Sequence, residues 1–328
     1  MLLFSALTSG VLLWALLPQL RRRLLDQPNA RSSHQRPTPR GGGLAFVLVT
    51  ALSSAVALCG GLPAGAAFSG VVMCALPLAV VGFLDDRHDL GSAVRFGVQL
   101  ATTLPLMLLS PLAVTLPAVV SAATPLGWLV SLPALLLLVI AITAVINFTN
   151  FMDGLDGLVA GCMAVSVAAL ASALDAPWPL WALVGSLLGF LIWNWSPAKV
   201  FMGDVGSTFL GAVFAGLVLQ ASSWTEAFGY LLVATPLLGD ALFCVLRRLL
   251  AGQLVFQAHR LHLFQRLHQA GWPHYHVSVI YIAATAVLAV AMLVGGLPWV
   301  LSLSVAELLL GVWLDQRFAV PFAVASRS

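Results

Sequence analysis

Four amide and carboxylate side chains, Asn147, Asn150, Asp153 and Asp156, recur every three residues in the stretch NFTNFMDGLDGL at the end of a long apolar segment. Residues three apart are neighbours on a helix, but the stripe drifts by about 60° per step, so one straight helix cannot aim all four at one point. Gly154 and Gly157 give the backbone a place to turn. The spacing therefore predicts a helix ending near Asp153, another starting near Asp156, and a polar pocket between them at a membrane surface. A second acidic run, Asp85, Asp86, Arg87, His88 and Asp89, follows the apolar AVVGFL. Carboxylates at the end of a span are costly unless hydrated, paired or metal-bound, so a functional site is the default reading there. In a third stretch, NWSPAKVFMGDVGSTFLG, Asp204 sits between two glycines, with Ser207 at the start of an apolar helix. Backbone donors and a helix N-terminus then lie beside an anion or a metal, with Asn194, Lys199 and the aromatic Phe201 clustered close by.

Two basic segments complement these acids. The loop RRRLLDQPNARSSHQRPTPRGGG places Arg36 and Arg40 before three glycines, whose bare backbone lets N–H groups approach a phosphate. Further on, AHRLHLFQRLHQAGWPHYH sets His259, His262 and Arg266 at helical spacings with Arg260 adjacent, a basic face over Leu261, Leu263 and Phe264. That pattern fits an amphipathic helix on the membrane surface and also admits phosphate binding. A zinc site is disfavoured, because no cysteine or carboxylate lies close by in sequence. Asp240 precedes Arg247 by two turns, too far for an intrahelical bridge, and is expected to find its partner on another helix. Glu307, alone in the last apolar run, reads as structural or lumen-facing.

The elements that must position these residues are membrane helices. Sixty per cent of the 328 residues are apolar, eight per cent are charged and the mean hydropathy is +1.01, which excludes a soluble globular class. Apolar runs near 2–20, 43–62, 66–84, 93–110, 126–147, 157–174, 178–195, 206–221, 227–246, 276–296 and 298–314 suggest eleven spans in one all-α domain covering 1–328. With that count all fifteen Lys and Arg fall in or beside alternate connections, which the positive-inside bias makes cytoplasmic, with the N-terminus outside and the C-terminus inside. The net charge of +3 then reflects topology and anionic lipid head groups, not nucleic acid. Residues 111–125 read as an uncharged outer loop, and the other outer connections carry only Asp175 and Glu226, so the chemistry faces the cytoplasm. Cys59, Cys74, Cys162 and Cys244 lie in apolar runs without a CxxC pair and read as inert buried thiols.

Taken in order, HQRPTPRGGG, GFLDDRHDL, NFTNFMDGLDGLVAG, NWSPAKVFMGDVGSTFLG and HRLHLFQRLHQAG resemble the motifs of the polyprenyl-phosphate N-acetylhexosamine-1-phosphate transferases, the MraY and WecA type of glycosyltransferase family 4. The third and fourth motifs are specific to that superfamily. The resemblance implies a bacterial inner-membrane enzyme that moves a sugar 1-phosphate from a UDP-N-acetylhexosamine to undecaprenyl phosphate on the cytoplasmic face, with magnesium, or manganese in its place. It implies Asp85 and Asp86 as catalytic residues at the lipid phosphate and Asp204 as the metal ligand. Asn150, Asp153, Asp156 and Asn194 would line the sugar-nucleotide pocket, with Phe201 stacked on uracil, while Arg36, His259, Arg260 and His262 would contact phosphates. Membrane lipids are further partners, and a homodimer is an assembly the resemblance allows.

Two departures stand out. Phe264 and Gln265 occupy positions where the family often has paired histidines, and the first motif has Gln35 and Arg40 in place of the lysine and TPTMGG form of the peptidoglycan-precursor branch. The second departure disfavours a MurNAc-pentapeptide donor and points to O-antigen, capsule or related glycan assembly. A membrane prenyltransferase gripping a diphosphate through Asp85–Asp89 and a non-enzymatic transporter are the rival readings. The first would bring a second acid-rich motif, the second acids at mid-span and repeated halves.

Overall fold

The computed structural model describes residues 1–28, 33–34, 36–61, 65–123, 127–254 and 259–326; Gln35 lies outside them. The chain is a multi-pass helical membrane protein. Its helices are α1 (Leu2–Arg23), α2 (Leu44–Cys59), α3 (Ala66–His88), α4 (Ser92–Leu108), α5 (Pro111–Ala123), α6 (Gly127–Phe151) and α7 (Leu158–Ala173). They continue as α8 (Trp178–Asn194), α9 (Asp204–Val218), α10 (Trp224–Leu232), α11 (Thr235–Leu250), α12 (Leu263–Gln269), α13 (His274–Arg317) and α14 (Phe322–Ala325). Between α1 and α2, β1 (Leu25–Asp26) and β2 (Thr38–Pro39) pair antiparallel, Leu25 opposite Pro39 and Asp26 opposite Thr38. This two-residue ribbon is the departure from an all-α chain among the described residues.

Burial follows hydrophobic patterning. A helix that is apolar on every side belongs in the middle of a bundle, and α9 is buried from Val205 to Val218. It packs against α3 and α6, while α8 is flanked by α1, α2 and α7, and α13 lies along α7. Phe46 of α2 sits edge-on to Phe190 of α8 at 5.4 Å and tilted to Phe209 of α9 at 6.5 Å, tying three helices together. The outward faces of α4, α6 and α13 expose Leu104, Leu108, Leu132, Leu137, Val294 and Leu309, which suit lipid as solvent.

Among the described residues fewer spans than eleven are borne out. Four helices, α1, α3, α6 and α13, are long and apolar enough to cross a membrane, six spans if each of two bent pairs is one. The ninth apolar run is one such pair: α10 and α11 meet at 84°, with Pro236 opening the second helix. The other is α4 with α5, bent by 77° at a break before Pro111, so residues 111–123 are helical where an outer loop was expected. An uncharged stretch gives no signal by which to tell a lipid-facing helix from a loop. The last two runs join in α13, which breaks at Gly296 (φ 62°), two residues before Pro298. The helices α2, α7, α8 and α9 are apolar but shorter, 16, 16, 17 and 15 residues.

Candidate active site

A cavity of about 270 Å³ opens where the end of α3, the α6–α7 turn, the α8–α9 connection and the β1–β2 loop converge. The α6–α7 turn forms as the glycine spacing requires, two residues wider at each end than expected: α6 stops at Phe151 and α7 starts at Leu158, with Gly157 left-handed (φ 75°). Asn150, Asp153 and Asp156 line the cavity. Asn147 does not. Its amide pairs reciprocally with Gln99 of α4, donating to Oε1 at 2.8 Å and accepting from Nε2 at 3.1 Å. The drift of the three-residue stripe around α6 turned it away.

Asp204 heads α9 and also lines the cavity. Asn150 donates from its amide to Asp204 Oδ1 at 2.9 Å and to Ser207 Oγ at 2.8 Å, so the two specific motifs lock into each other. Asp86 is buried over the start of α9, where the N–H groups of Asp204 and Val205 donate to its two oxygens at 3.2 and 3.4 Å. This is charge-assisted capping of a helix N-terminus. Gly82 makes the approach possible. A Cβ there would strike the Asp204 backbone, and its absence brings α3 against α9 one turn before Asp86.

Asp85 takes the N–H of Leu90 on Oδ1 at 2.6 Å and Arg95 Nη1 on Oδ2 at 3.1 Å. It is buried and is not among the cavity-lining residues, so its carboxylate braces the α3–α4 corner. Arg95 Nη1 also lies 3.8 Å from Asp204 Oδ2. Asp89, exposed and left-handed (φ 53°) at the end of α3, points elsewhere, so DDRHD does not assemble as one diphosphate clamp.

Asp156 and Asp153 show opposite electrostatics. Burial raises the Asp156 carboxyl, but the paired His274 at 3.1 Å and the Ala198 N–H at 3.0 Å outweigh it and hold the acid below its usual range. Asp153 has no hydrogen bond or ion pair to its carboxylate among the described residues. Burial, then the charges of Asp204, Asp86 and Asp156, push it up to about 8. Such an acid is neutralised by a proton or by a cation, and a ring of carboxylate and amide oxygens suits a hard divalent ion.

The other expected site residues divide. Asn194 lines the cavity, yet both ends of its amide are engaged, accepting from Gly157 N at 3.0 Å and donating to Val200 O at 3.0 Å, so it ties the two turns together. Phe201 lines the wall, edge-on to His34 at 4.9 Å. Its backbone is held by Pro39 O and Gly42 N, at 2.8 and 2.9 Å. Arg40 reaches the cavity, 3.9 Å from Asp86, whereas Arg36 is exposed and outside it. His259, Arg260 and His262 do not line it either; Gln265 and His274 do. Arg95, Gln265 and His274 were missed because their partners lie on distant segments. The one local signal was Arg95 itself, a cation in an otherwise apolar run.

The profile of glycosyl transferase family 4 matches residues 68–222, the stretch that supplies Asp86, Asn150, Asp153, Asp156 and Asp204. Among curated proteins, the chain is similar to a probable undecaprenyl-phosphate N-acetylglucosaminyl 1-phosphate transferase of Bacillus subtilis (strain 168), 30% identical over 79% of this chain and 74% of the relative. The chain belongs to glycosyl transferase family 4. Family membership extends beyond the profile's limits. A phospho-N-acetylmuramoyl-pentapeptide-transferase of Synechococcus sp. (strain JA-3-3Ab) is 34% identical over 90% of this chain and 89% of its own length. A decaprenyl-phosphate N-acetylglucosaminephosphotransferase of Mycobacterium leprae (strain TN) is 31% identical over 82% and 76%. The relatives of this family 4 chain thus include both an acetylglucosamine and a muramoyl-pentapeptide enzyme.

Proposed function

We propose that this family 4 protein transfers an N-acetylhexosamine 1-phosphate from a UDP-sugar to undecaprenyl phosphate, releasing UMP. In the balanced step a lipid phosphate oxygen bonds to the donor's β-phosphorus while the bond to the bridging oxygen breaks, and the electron pair leaves with UMP. The observation behind this reading is the unpartnered Asp153 facing Asp204, Asp86 and Asp156 across one cavity, a concentration of negative charge that fits a cation shared with two anionic substrates. Asp204 and Asp153 would hold magnesium, which when bound would neutralise the diphosphate of the donor.

Asp86 works through position. Both its oxygens face backbone donors of α9, and Asp85 is likewise engaged by Arg95 and Leu90. Neither is a free nucleophile, which favours direct attack by the lipid phosphate, already anionic near neutral pH, over a phosphosugar-enzyme. Arg40 and Arg95, both partly exposed beside the acids, are assigned the phosphate grip. This assignment replaces His259, Arg260 and His262. Phe201 is assigned to the uracil ring. The reading keeps 1–328 as one inner-membrane domain with the cavity at the cytoplasmic face, the N-terminus outside and the C-terminus inside. For the donor, Gln35 and Arg40 in the first motif favour a UDP-N-acetylhexosamine of surface-glycan assembly over the muramoyl pentapeptide.

The decisive experiment incubates purified protein with undecaprenyl phosphate, magnesium and a panel of UDP-sugars, and identifies the lipid product by mass spectrometry. A lipid diphosphate sugar from one donor is expected, and no product from any donor overturns the assignment. Omitting all polyprenyl lipid tests the step itself. Labelled UMP exchanging into UDP-sugar under those conditions would establish a covalent intermediate. For orientation, Ser222→Cys, exposed between α9 and α10, should react with an impermeant label from outside and Lys199→Cys should not; the reverse would invert the site.

A further inference from the structure

Outside the acidic cavity, the connection between α11 and α12 gathers a second set of ligand-bearing side chains. Cys244 of α11, His259 and His262 each present one donor atom, a sulfur and two ring nitrogens, and the three atoms all lie within 4.8 Å of one another. Cys244 and His262 are buried and His259 is half-buried. The Nδ1 atom of His262 is buried with no hydrogen bond of normal geometry, though the side chain faces the Gln265 N–H as the N-cap of α12, an uncommon state for a residue only 2% exposed. His259 Nδ1 takes only a long 3.3 Å contact from the Leu261 N–H. Sequence order argued against zinc because no cysteine or carboxylate was near the histidines. The fold supplies both from α11, with Asp240 Oδ1 3.9 Å from His262 Nδ1.

We propose that Cys244, His259 and His262 bind a zinc ion, with water in the fourth position. One thiolate and two imidazoles are the donor types zinc prefers, and they set this cluster apart from the oxygen-only acids of the cavity. The charges are compatible. A Cys244 thiolate with the Asp240 carboxylate offsets the dication, while the neighbouring arginines are engaged elsewhere: Arg247 and Arg266 with Asp315, and Arg248 with Gln253 and the carbonyl of Leu254. Bound there, zinc ties the end of α11 to the start of α12, the short helix that brings Gln265 to the acidic cavity. It is a fastening independent of the transferase reading.

The test uses full-length protein in detergent, stripped with a chelator and dialysed against zinc, with bound metal measured per chain. Wild type should bind one zinc. Binding should weaken at least about tenfold in Cys244→Ser and in His259→Ala, and remain unchanged in Asp204→Asn. Cobalt(II) loaded in place of zinc should show a thiolate-to-metal charge-transfer band that Cys244→Ser removes. His259 is only half-buried, so its variant keeps the measurement informative if Cys244→Ser fails to fold. Zinc bound no more tightly by wild type than by His259→Ala overturns the proposal. So does a cobalt spectrum without the thiolate band, or zinc lost in Asp204→Asn and retained in Cys244→Ser, which would move the metal to the acidic cavity.

Discussion

Two cavities in this protein are lined by buried acids, and they treat their charges in opposite ways. In the pocket of about 230 Å³ between α11 and α13, Asp240 accepts from the N–H groups of Leu263 and Phe264 at 2.8 and 3.1 Å and from the Tyr281 hydroxyl at 2.8 Å. Asp315 in the same pocket is paired with Arg247 and Arg266. Those carboxylates hold α11, α12 and α13 together and are compensated by the fold itself. In the acidic cavity Asp153 has no such partner while three other acids face it. Compensated acids mark architecture, and an unpaired acid crowded by three like charges marks a place where a ligand can complete the charge balance.

The sharpest way to break that contrast is Asp204→Asn. Turnover should fall on the order of 10³-fold, with the protein still folded, because one formal charge at the cation site is lost. Lipid-product formation across a magnesium titration measures it, and near-normal activity with unchanged magnesium dependence would sink the metal assignment. Asp240→Ala should do the reverse. Removing an acid with three donors should destabilise the fold by about 3 kcal/mol, seen as a lower Tm in detergent. An unchanged Tm would show that the α11–α13 pocket is not structural.

Asp153→Asn sharpens the comparison through pH. In the metal-free protein the folded carboxyl titrates at about 8 and the unfolded one near 3.8. The folded state therefore binds the extra proton between those values, and wild-type stability declines as pH rises through that window. The amide variant should be the more stable protein above about pH 8, with its advantage shrinking to nothing as pH falls below the ordinary carboxylate range. Thermal unfolding across pH checks it, and a variant less stable at high pH would contradict an uncompensated acid. Glu307 has the smallest expected effect. One of its oxygens is buried without a hydrogen-bond partner in the α11–α13 pocket, so Glu307→Gln should leave transferase rate within about twofold and shift stability by no more than about 0.5 kcal/mol. A large loss of activity would make that pocket a second functional site.

Much of the acidic cavity was legible because its chemistry is local. Asp153, Asp156, Gly154 and Gly157 announce a turn through their spacing alone, and Gly203-Asp204 announces a helix start. Asp240 was legible in part: its distance from Arg247 excluded an intrahelical pair, but nothing in sequence named Tyr281 or the head of α12 as the partner. Arg95 was hidden because its two carboxylates sit ten and more than a hundred residues away. Helix α5 was hidden because an uncharged segment after a bend has no periodic polar face. The joining of Cys244 with His259 and His262 was hidden for a related reason, since bends in the chain, not residue types, decide which segments meet.

Strand β2 and the turn that leads from it into α2 are fastened to the α8–α9 connection through main-chain bonds. Phe201 N donates to Pro39 O, Gly42 N to Phe201 O, and Gly43 N to Met202 O, at 2.8, 2.9 and 2.9 Å. Such bonds are indifferent to side-chain identity wherever the backbone keeps its path. Gly203, left-handed at φ 75°, where a Cβ would meet Gly41 N and the Asp86 carboxylate, is the fixed point of that path. The rest of the wall is free to drift. Related chains can therefore exchange the side chains that face the cavity from this connection, and so diverge in what they accept, while the main-chain fastening stays in place.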